Sequence, residues 1–394
     1  MTTPRFSVLI PTRERPSTFR RTLATVLAQP GDDYEIVIAD NCSGPETRRI
    51  VEEAASDRLH YTRSDEVLPM AINWERGLAL CSGEYVTVLG DDDGFVPSTL
   101  PLARRIIGAT DCEILGWFPH TYWWPDTIVH WSRNMLIVEL GEGAMWIDSR
   151  RLLEDFYRGA VSFGLLPMIY NAFFHRGVIE EAVRRYDGFF VPPDTAPDVA
   201  SGILGLYVTE RFIYSGRPLS IRGNSGKSNG TAQWARSLGA EQREIFYREE
   251  RVGLKGLIHE ALVPSPNITI IIASAKLKCR DRYFPADPAL TVDLAAVLRE
   301  MIAQINFEPE AYEENLADIR ALAAKLGIRL DPAEIPAKVM RPRLPGWGPQ
   351  KGADGAIAKL VVNCELAGAS DIAAASRIVD ALLAPWEQYL VVQG

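Results

Sequence analysis

The first hundred residues alternate between short apolar runs and segments with helical spacing, and this alternation constrains the fold more than any other feature of the chain. Residues 6–10 form an apolar run of strand type, and residues 17–29 follow with Phe19, Leu23, Val26 and Leu27 on one helical face. Residues 36–39 are a second run, and Ile50, Val51 and Ala54 suit the helix after it. Residues 59–62 read as a short third strand, 70–80 as a helix and 85–89 as a further strand. Alternation of this kind with short connections predicts an α/β fold built on a Rossmann-like, mainly parallel sheet flanked by helices.

The pattern then loosens. Residues 113–117, 127–131 and 135–140 read as strands, partly antiparallel, and Asp148 is placed to cap a helix running through Tyr157. Residues 168–174 are another strand candidate, 177–185 a helix, 191–197 a Pro-rich loop and 198–207 a helix. Beyond residue 231, Ala- and Leu-rich helical patterns dominate, at 292–304, 317–326 and 371–383. The stretch 341–352 holds three Pro and three Gly and reads as a loop or linker. A boundary near residue 230 is expected, with 231–394 a mostly helical C-terminal domain serving acceptor binding or oligomerisation, homodimer formation included.

In a parallel sheet the residues just after each strand share one edge, and open α/β sheets bind ligands there. Pro11-Thr12-Arg13 follows the first run, Asp40-Asn41 the second, Arg63 the third and Asp91-Asp92-Asp93 the fourth. Four polar clusters on one edge make a stronger signal than any one of them. Three adjacent carboxylates repel unless a cation or solvent offsets them, and hard divalent ions take carboxylate and phosphate oxygens together. Asp91, Asp92 and Asp93 are therefore candidate ligands of Mg2+ or Mn2+ bridging to a diphosphate; the competing role is a solvated acidic turn. Asp40 suits a nucleotide base or ribose, or the capping of the turn that follows it, and Arg13 and Arg63 suit a base or phosphate.

The net charge of −9 argues against non-specific nucleic-acid binding. An odd count of five Cys without a CxxC pair fits a reduced, cytoplasmic protein. The N-terminus has no basic segment followed by a long apolar one, so no signal peptide is expected. No apolar stretch approaches the ~20 residues of a membrane helix, which leaves peripheral membrane contact open. Zinc-type Cys/His clusters and GxGxxG are absent, and the five His are scattered, with His175 alone following a strand candidate. Gly226-Lys227-Ser228 resembles a P-loop, but Ile221 stands where its first glycine belongs. Residues 222–230 are better read as a lid whose Arg222 or Lys227 meets a diphosphate, or as a plain interdomain loop. The aromatic stretch with Trp117, Tyr122, Trp123, Trp124 and Trp131 suits core packing for most members and an acceptor site for the rest.

Three strings, Ser7-Val8-Leu9-Ile10-Pro11-Thr12-Arg13-Glu14-Arg15-Pro16, Glu35-Ile36-Val37-Ile38-Ala39-Asp40-Asn41-Cys42-Ser43 and Gly83-Glu84-Tyr85-Val86-Thr87-Val88-Leu89-Gly90-Asp91-Asp92-Asp93, resemble in order and spacing the family 2 glycosyltransferases of GT-A fold. Asn73-Trp74 resembles the helix start found between the last two. The resemblance is strong over 5–100 and weaker to 230. It implies a GT-A domain over 1–230 and an inverting, metal-assisted transfer of sugar from a nucleotide-sugar donor, uridine-linked by family habit, to an acceptor hydroxyl. It places the donor nucleotide at Pro11, Thr12, Arg13, Asp40, Asn41, Arg63, Asn73, Asp91 and Asp92, and a DXD-like metal site among Asp91, Asp92 and Asp93. Aligning Leu89 with the strand end puts Asp92, then Asp93, ahead of Asp91 as direct ligands. The family's general base is an Asp or Glu at a helix start, which Asp198 matches, with Asp194 in reserve; helix capping is the competing role for Asp198.

Two other classes compete. A sugar-1-phosphate nucleotidyltransferase opens with a Gly-rich loop after its first strand, and residues 11–16 hold no glycine. A non-catalytic carbohydrate- or nucleotide-binding scaffold has no need of the acidic triplet or of Asp198. The acceptor, whether glycan, glycolipid precursor, protein or small molecule, stays open.

Overall fold

The computed structural model describes residues 4–190, 194–251, 253–340 and 346–389. Part of the Pro-rich loop expected at 191–197 and part of the linker expected at 341–352 lie outside the described residues. In chain order the strands are β1 Phe6–Thr12, β2 Tyr34–Asp40, β3 Leu59–Arg63, β4 Tyr85–Val88, β5 Gly94–Phe95, β6 Ile114–Trp117, β7 His120–Trp123, β8 Met135–Glu139, β9 Ala144–Asp148, β10 Ala172–His175, β11 Arg211–Ser215, β12 Ser220–Asn224, β13 Gly348–Lys351 and β14 Ile357–Asn363.

The main sheet has the order β3-β2-β1-β4-β10-β6-β11-β9. Its first four strands are mutually parallel, β10 runs against both neighbours, and β9 closes the far edge antiparallel to β11. Along β1, Val8 and Ile10 face one buried cluster and Leu9 the other, because helices cover both faces. Full burial of each such side chain contributes ~1.5–3 kcal/mol. Register then aligns the polar strand ends: Thr12 is opposite Asp40, and Asp40 is opposite Arg63. Leu9 pairs with Val88, so three residues later on each chain Thr12 comes level with Asp91. A smaller sheet, β13-β14-β8-β7-β12-β5, stands beside this edge.

Local chemistry sets the helices. Proline at N1 starts Pro16–Leu27, Pro45–Ala54 and Pro197–Val208, where its missing N–H costs no hydrogen bond. Asp148 accepts from Arg151 N at the head of Ser149–Tyr157, the cap expected from sequence.

Several expectations change. Residues 127–131 form no strand: the segment turns through a short 3-10 helix, His130–Ser132. Residues 168–174 divide into a 3-10 turn, Ile169–Asn171, and then β10. The end of the expected linker is strand β13, paired with β14, which pairs with β8 of the N-terminal half. The C-terminal region therefore contributes strands as well as helices. The expected boundary near 230 marks no gap in packing, since Leu9, Trp74 and Phe174 share one buried cluster with Ile270, Leu298 and Ile319. The helix Ile372–Leu382 returns to pack on Pro16–Leu27, where Ile372 lies against Gly94. Among the described residues, no helix is long and apolar enough to cross a membrane.

Candidate active site

The acidic triplet begins just past β4, and its three carboxylates point to different partners. Asp91 Oδ2 accepts from Thr12 Oγ1 at 2.8 Å, and its Oδ1 meets Arg15 at 2.9 Å. Asp92 Oδ2 accepts from Ser225 Oγ at 2.6 Å and from Ser225 N at 3.3 Å. Asp93 accepts from Gly223 N at 2.7 Å and Gly90 N at 3.1 Å. Burial drives the Asp93 carboxyl up to about 7, with the neighbouring Asp92 charge adding to it. Asp92 is raised by burial too, with Arg15 opposing and Asp91 reinforcing. Burial alone would lower the Arg15 guanidinium, but Asp91 and Asp92 outweigh it and hold Arg15 charged.

β12 is pressed onto this segment. Trp124 Nε1 donates to the Asp92 carbonyl at 2.9 Å, and Thr22 Oγ1 donates to the Asp93 carbonyl at 2.6 Å. Arg222 lies on β12, donates to Thr121 Oγ1 at 3.2 Å and feels the charge of Asp93. The lid reading of 222–230 is corrected accordingly: Arg222 is strand, Ser225 is tied to Asp92, and Lys227 donates to the Glu14 carbonyl at 3.1 Å while its own carbonyl accepts from Arg15. The opening half of the segment is a wall of the site.

The opposite wall is the helix Pro197–Val208. Its N-cap is Ala196, so Asp198 lies in the first turn and is no cap. Burial raises the Asp198 carboxyl, with N–H groups of Val199 and Asp198 itself pulling the other way. Ser201 Oγ donates to the Asp198 carbonyl at 2.6 Å and accepts from Ile169 N at 3.2 Å. Thr87 of β4 donates to the Ile169 carbonyl at 3.0 Å, so the Ile169–Asn171 turn is pinned between sheet and helix. That turn presents Tyr170, whose half-buried phenol faces the charges of Asp198, Asp93, Asp92 and Asp91 and is raised well above its ordinary value by burial first and these charges next. Trp74 packs on Tyr170 with ring centroids 5.0 Å apart. Asp198 and the triplet are thus all near enough to Tyr170 for their charges to act on it.

Asp194 stands apart. It pairs with Lys278 Nζ at 3.2 Å, and Lys278 also donates to the Asp194 carbonyl at 2.8 Å. His175 lies at the other end of the sheet, opposite Tyr85 at the start of β4, and accepts from Gly177 N.

At the strand-end edge where a nucleotide was expected, several of the expected residues have internal partners. Asp40 is fully buried; its oxygens accept from Ser43 N at 2.8 Å and Tyr61 OH at 2.6 Å, which is the turn-capping role. Asn41 clamps both the N–H and the carbonyl of Leu68, each at 2.8 Å. Asn73 donates to the Ala39 carbonyl at 2.9 Å. Arg63 donates to the Ser43 carbonyl at 3.0 Å. Arg13 pairs with Glu249 at 2.7 Å, and half-buried Pro11 completes the edge.

Four participants escaped the sequence reading. Arg15 was within reach, since it lies in the same loop as Arg13. Tyr170, Ser225 and Glu249 had no local signal, because each meets the site through the fold. Among the described residues no group of three or more His, Cys, Asp or Glu converges as a ready metal cage.

Residues 7–162 match the model described as Glycosyl transferase family 2. The chain is 31% identical over 101 residues to GalNAc(5)-diNAcBac-PP-undecaprenol beta-1,3-glucosyltransferase of Campylobacter jejuni subsp. jejuni serotype O:2 (strain ATCC 700819 / NCTC 11168), which covers 25% of this chain and 32% of that protein. It is 28% identical over 99 residues to the putative colanic acid biosynthesis glycosyl transferase WcaA of Escherichia coli (strain K12), covering 25% of this chain and 36% of that protein. The matched stretch thus spans about a third of each relative's length. Among solved structures, S. aureus TarS 1-349 in complex with UDP-GlcNAc aligns over 83% of this chain and 93% of its own, at 14% identity and a TM-score of 0.47. The mannosyltransferase PcManGT from Pyrobaculum calidifontis in complex with GDP-Man and Mn2+ aligns over 82% and 87%, at 18% identity and a TM-score of 0.43. The likeness to glycosyl transferase family 2 thus lies in residues 7–162, the stretch that holds the strand-end clusters and the acidic triplet.

Proposed function

We propose that this chain is an inverting glycosyltransferase that moves a sugar from a nucleoside diphosphate donor, uridine-linked, onto an acceptor hydroxyl. The observation that carries the reading is the gathering of carboxylates at the strand ends: Thr12 and Arg15 tie Asp91 to the end of β1, and the charges of Asp91, Asp92, Asp93 and Asp198 all act on Tyr170. The donor nucleotide lies along the strand ends over Pro11, Thr12 and Arg13, with Arg63 beside it.

The acidic segment fits a divalent cation, Mn2+ or Mg2+. Asp91 is committed to Arg15 and Thr12, while Asp92 lies close enough for its charge to raise Asp93. The three carboxylates of the segment meet the charges of two guanidiniums, Arg15 and Arg222, and the remaining negative charge suits such an ion. Asp92 and Asp93 are the residues to hold it, and diphosphate oxygens complete a hard-oxygen set. When bound, the ion offsets the charge growing on the departing nucleoside diphosphate.

The chain's own residues do the rest. Asp198 takes the acceptor hydroxyl's proton as the oxygen attacks the anomeric carbon; the bond from that carbon to the diphosphate oxygen breaks, and the leaving group departs with the electron pair on the opposite face. A carboxylate raised by burial is a better base than an exposed one, because its affinity for the proton is nearer to the working pH. Arg15 and Ser225 fix Asp91 and Asp92 so that the acidic wall keeps its shape. Asp198→Asn tests the assignment. Donor stabilisation should survive, and metal-dependent transfer to an acceptor should fall by about 100-fold or more; wild-type turnover in this variant contradicts the base role.

A further inference from the structure

The chain carries a formal charge of −9, yet one cleft in it reverses that sign. The cleft has a volume of about 390 Å³ and lies where the helices Arg176–Tyr186 and Ile268–Tyr283 end side by side. Arg184, Arg185 and Arg282 line it, with Asp187 the one carboxylate in its wall. Glu181 binds both Arg184 and Arg185, each through part of its guanidinium, so the wall keeps positive charge to spare. All three arginines are exposed, and guanidinium forks match phosphate oxygens in pairs. Tyr186 and Tyr283 stand in the same wall, with ring centroids 4.8 Å apart, and offer apolar faces of the kind that pack on a sugar or polyol.

The cleft also leads toward the chemistry. Arg282 and Tyr283 line a second, narrow pocket together with Phe190, Thr195 and Ala200. Ala200 lies in the helix turn that begins at Asp198. Phe190 packs on Trp74 at 5.2 Å, and Trp74 packs on Tyr170. Phe190 and Trp74 are themselves buried, so the cleft and the turn that begins at Asp198 are linked by shared core packing through Phe190 and Ala200.

We propose that this cleft is an acceptor subsite for a phosphate ester: the arginines hold the phosphate of a phosphorylated polyol or sugar beside the helix that carries Asp198. The inference rests on the transferase reading for the word acceptor; the anion site itself stands on the cleft alone. A competing role for the arginines is to offset the negative ends of the two helices, and that role needs no ligand.

The probes are sn-glycerol 3-phosphate against glycerol by calorimetry, and vesicles of phosphatidylglycerol against phosphatidylcholine by co-sedimentation. The protein is the full chain, wild type, Arg184→Ala/Arg282→Ala, and Arg299→Ala as an exposed-arginine control. Glycerol 3-phosphate should bind, glycerol should not, and the double variant should weaken binding by about tenfold or more, a charge-assisted bond's worth. Binding to the vesicle alone places the phosphate on a lipid; binding to the soluble ester alone places it on a free acceptor. Equal binding by wild type and the double variant, or no phosphate binding by a protein that UDP and Mn2+ stabilise, overturns the subsite while leaving the transferase reading intact. Arginine-dependent phosphate binding with no nucleotide response does the reverse: the anion site holds and the transferase reading fails.

Discussion

Gly223→Ala adds one methyl group to the contact between β12 and the acidic segment. Gly223 has an ordinary backbone conformation, so the substitution carries no dihedral strain. Its cost is space: the new Cβ would stand 1.8 Å from the Asp92 carbonyl oxygen, 1.6 Å short of the 3.4 Å where ordinary contact begins. The Asp92 carbonyl carbon at 2.7 Å and Trp124 Nε1 at 2.8 Å crowd it as well. The nearest obstacles are backbone and cannot rotate away, so β12 must move off. That movement stretches the bonds from Gly223 N to Asp93 and from Ser225 to Asp92. Overpacking costs ~1–3 kcal/mol and a lost bond to a charged group ~1.5–3 kcal/mol, so about 3–5 kcal/mol is expected. Urea unfolding measures it, with Gly108→Ala as the matched control. Gly108 sits in the helix Thr99–Thr110 with nothing within 4 Å of its built Cβ. There the same methyl group should stabilise by roughly 0.5–1 kcal/mol. A Gly223→Ala protein within about 0.5 kcal/mol of wild type, the range of a neutral surface change, would refute the close-packing argument.

Three further outcomes follow from other parts of the molecule. Glu250 is buried against Met70 N, and burial lifts its carboxyl from 4.5 to about 7 in the folded state. The folded state thus keeps a proton that the unfolded chain has already lost, so this group's contribution is complete below pH 4.5 and is lost as pH rises through about 7. The loss is roughly 3 kcal/mol at ~1.4 kcal/mol per unit; Glu250→Gln should remove it, and a wild-type-minus-variant stability that does not change between pH 5 and pH 8 would rule it out. Asp40→Asn should cost about 1–3 kcal/mol of stability by disturbing Tyr61 and Ser43; unchanged stability with weakened nucleotide binding would return Asp40 to direct contact with the base. Asp198→Asn should part donor binding from transfer, read as intact nucleotide stabilisation beside lost product.

The legible part of the fold was the part built from local pattern. β1 to β4 follow from apolar runs ended by polar residues, and their shared edge follows from parallel pairing. β13 was read as linker because its Pro and Gly say turn; its strand character comes from pairing with β14 across a sheet edge, where a missing N–H is tolerated. Residues 127–131 carry apolar residues at strand spacing, but the chain turns there and Val129 is buried without a strand partner. In the site, the acidic triplet announced itself as a sequence motif. Its division did not: Asp91 goes to Thr12 and Arg15, and Asp92 to a serine 133 positions away. Contacts of that span are properties of the closed fold.

The proposed function stands on a nucleoside diphosphate site completed by a divalent cation at Asp92 and Asp93. Thermal unfolding with UDP, GDP and dTDP, each with and without Mn2+, tests it most directly. A ligand at about 100 times its Kd adds roughly 2.7 kcal/mol to the folded state. UDP should raise the melting temperature by several degrees, and the rise should require Mn2+ and disappear in Asp92→Asn. No rise with any diphosphate and Mn2+, or an equal rise in Asp92→Asn, would contradict it.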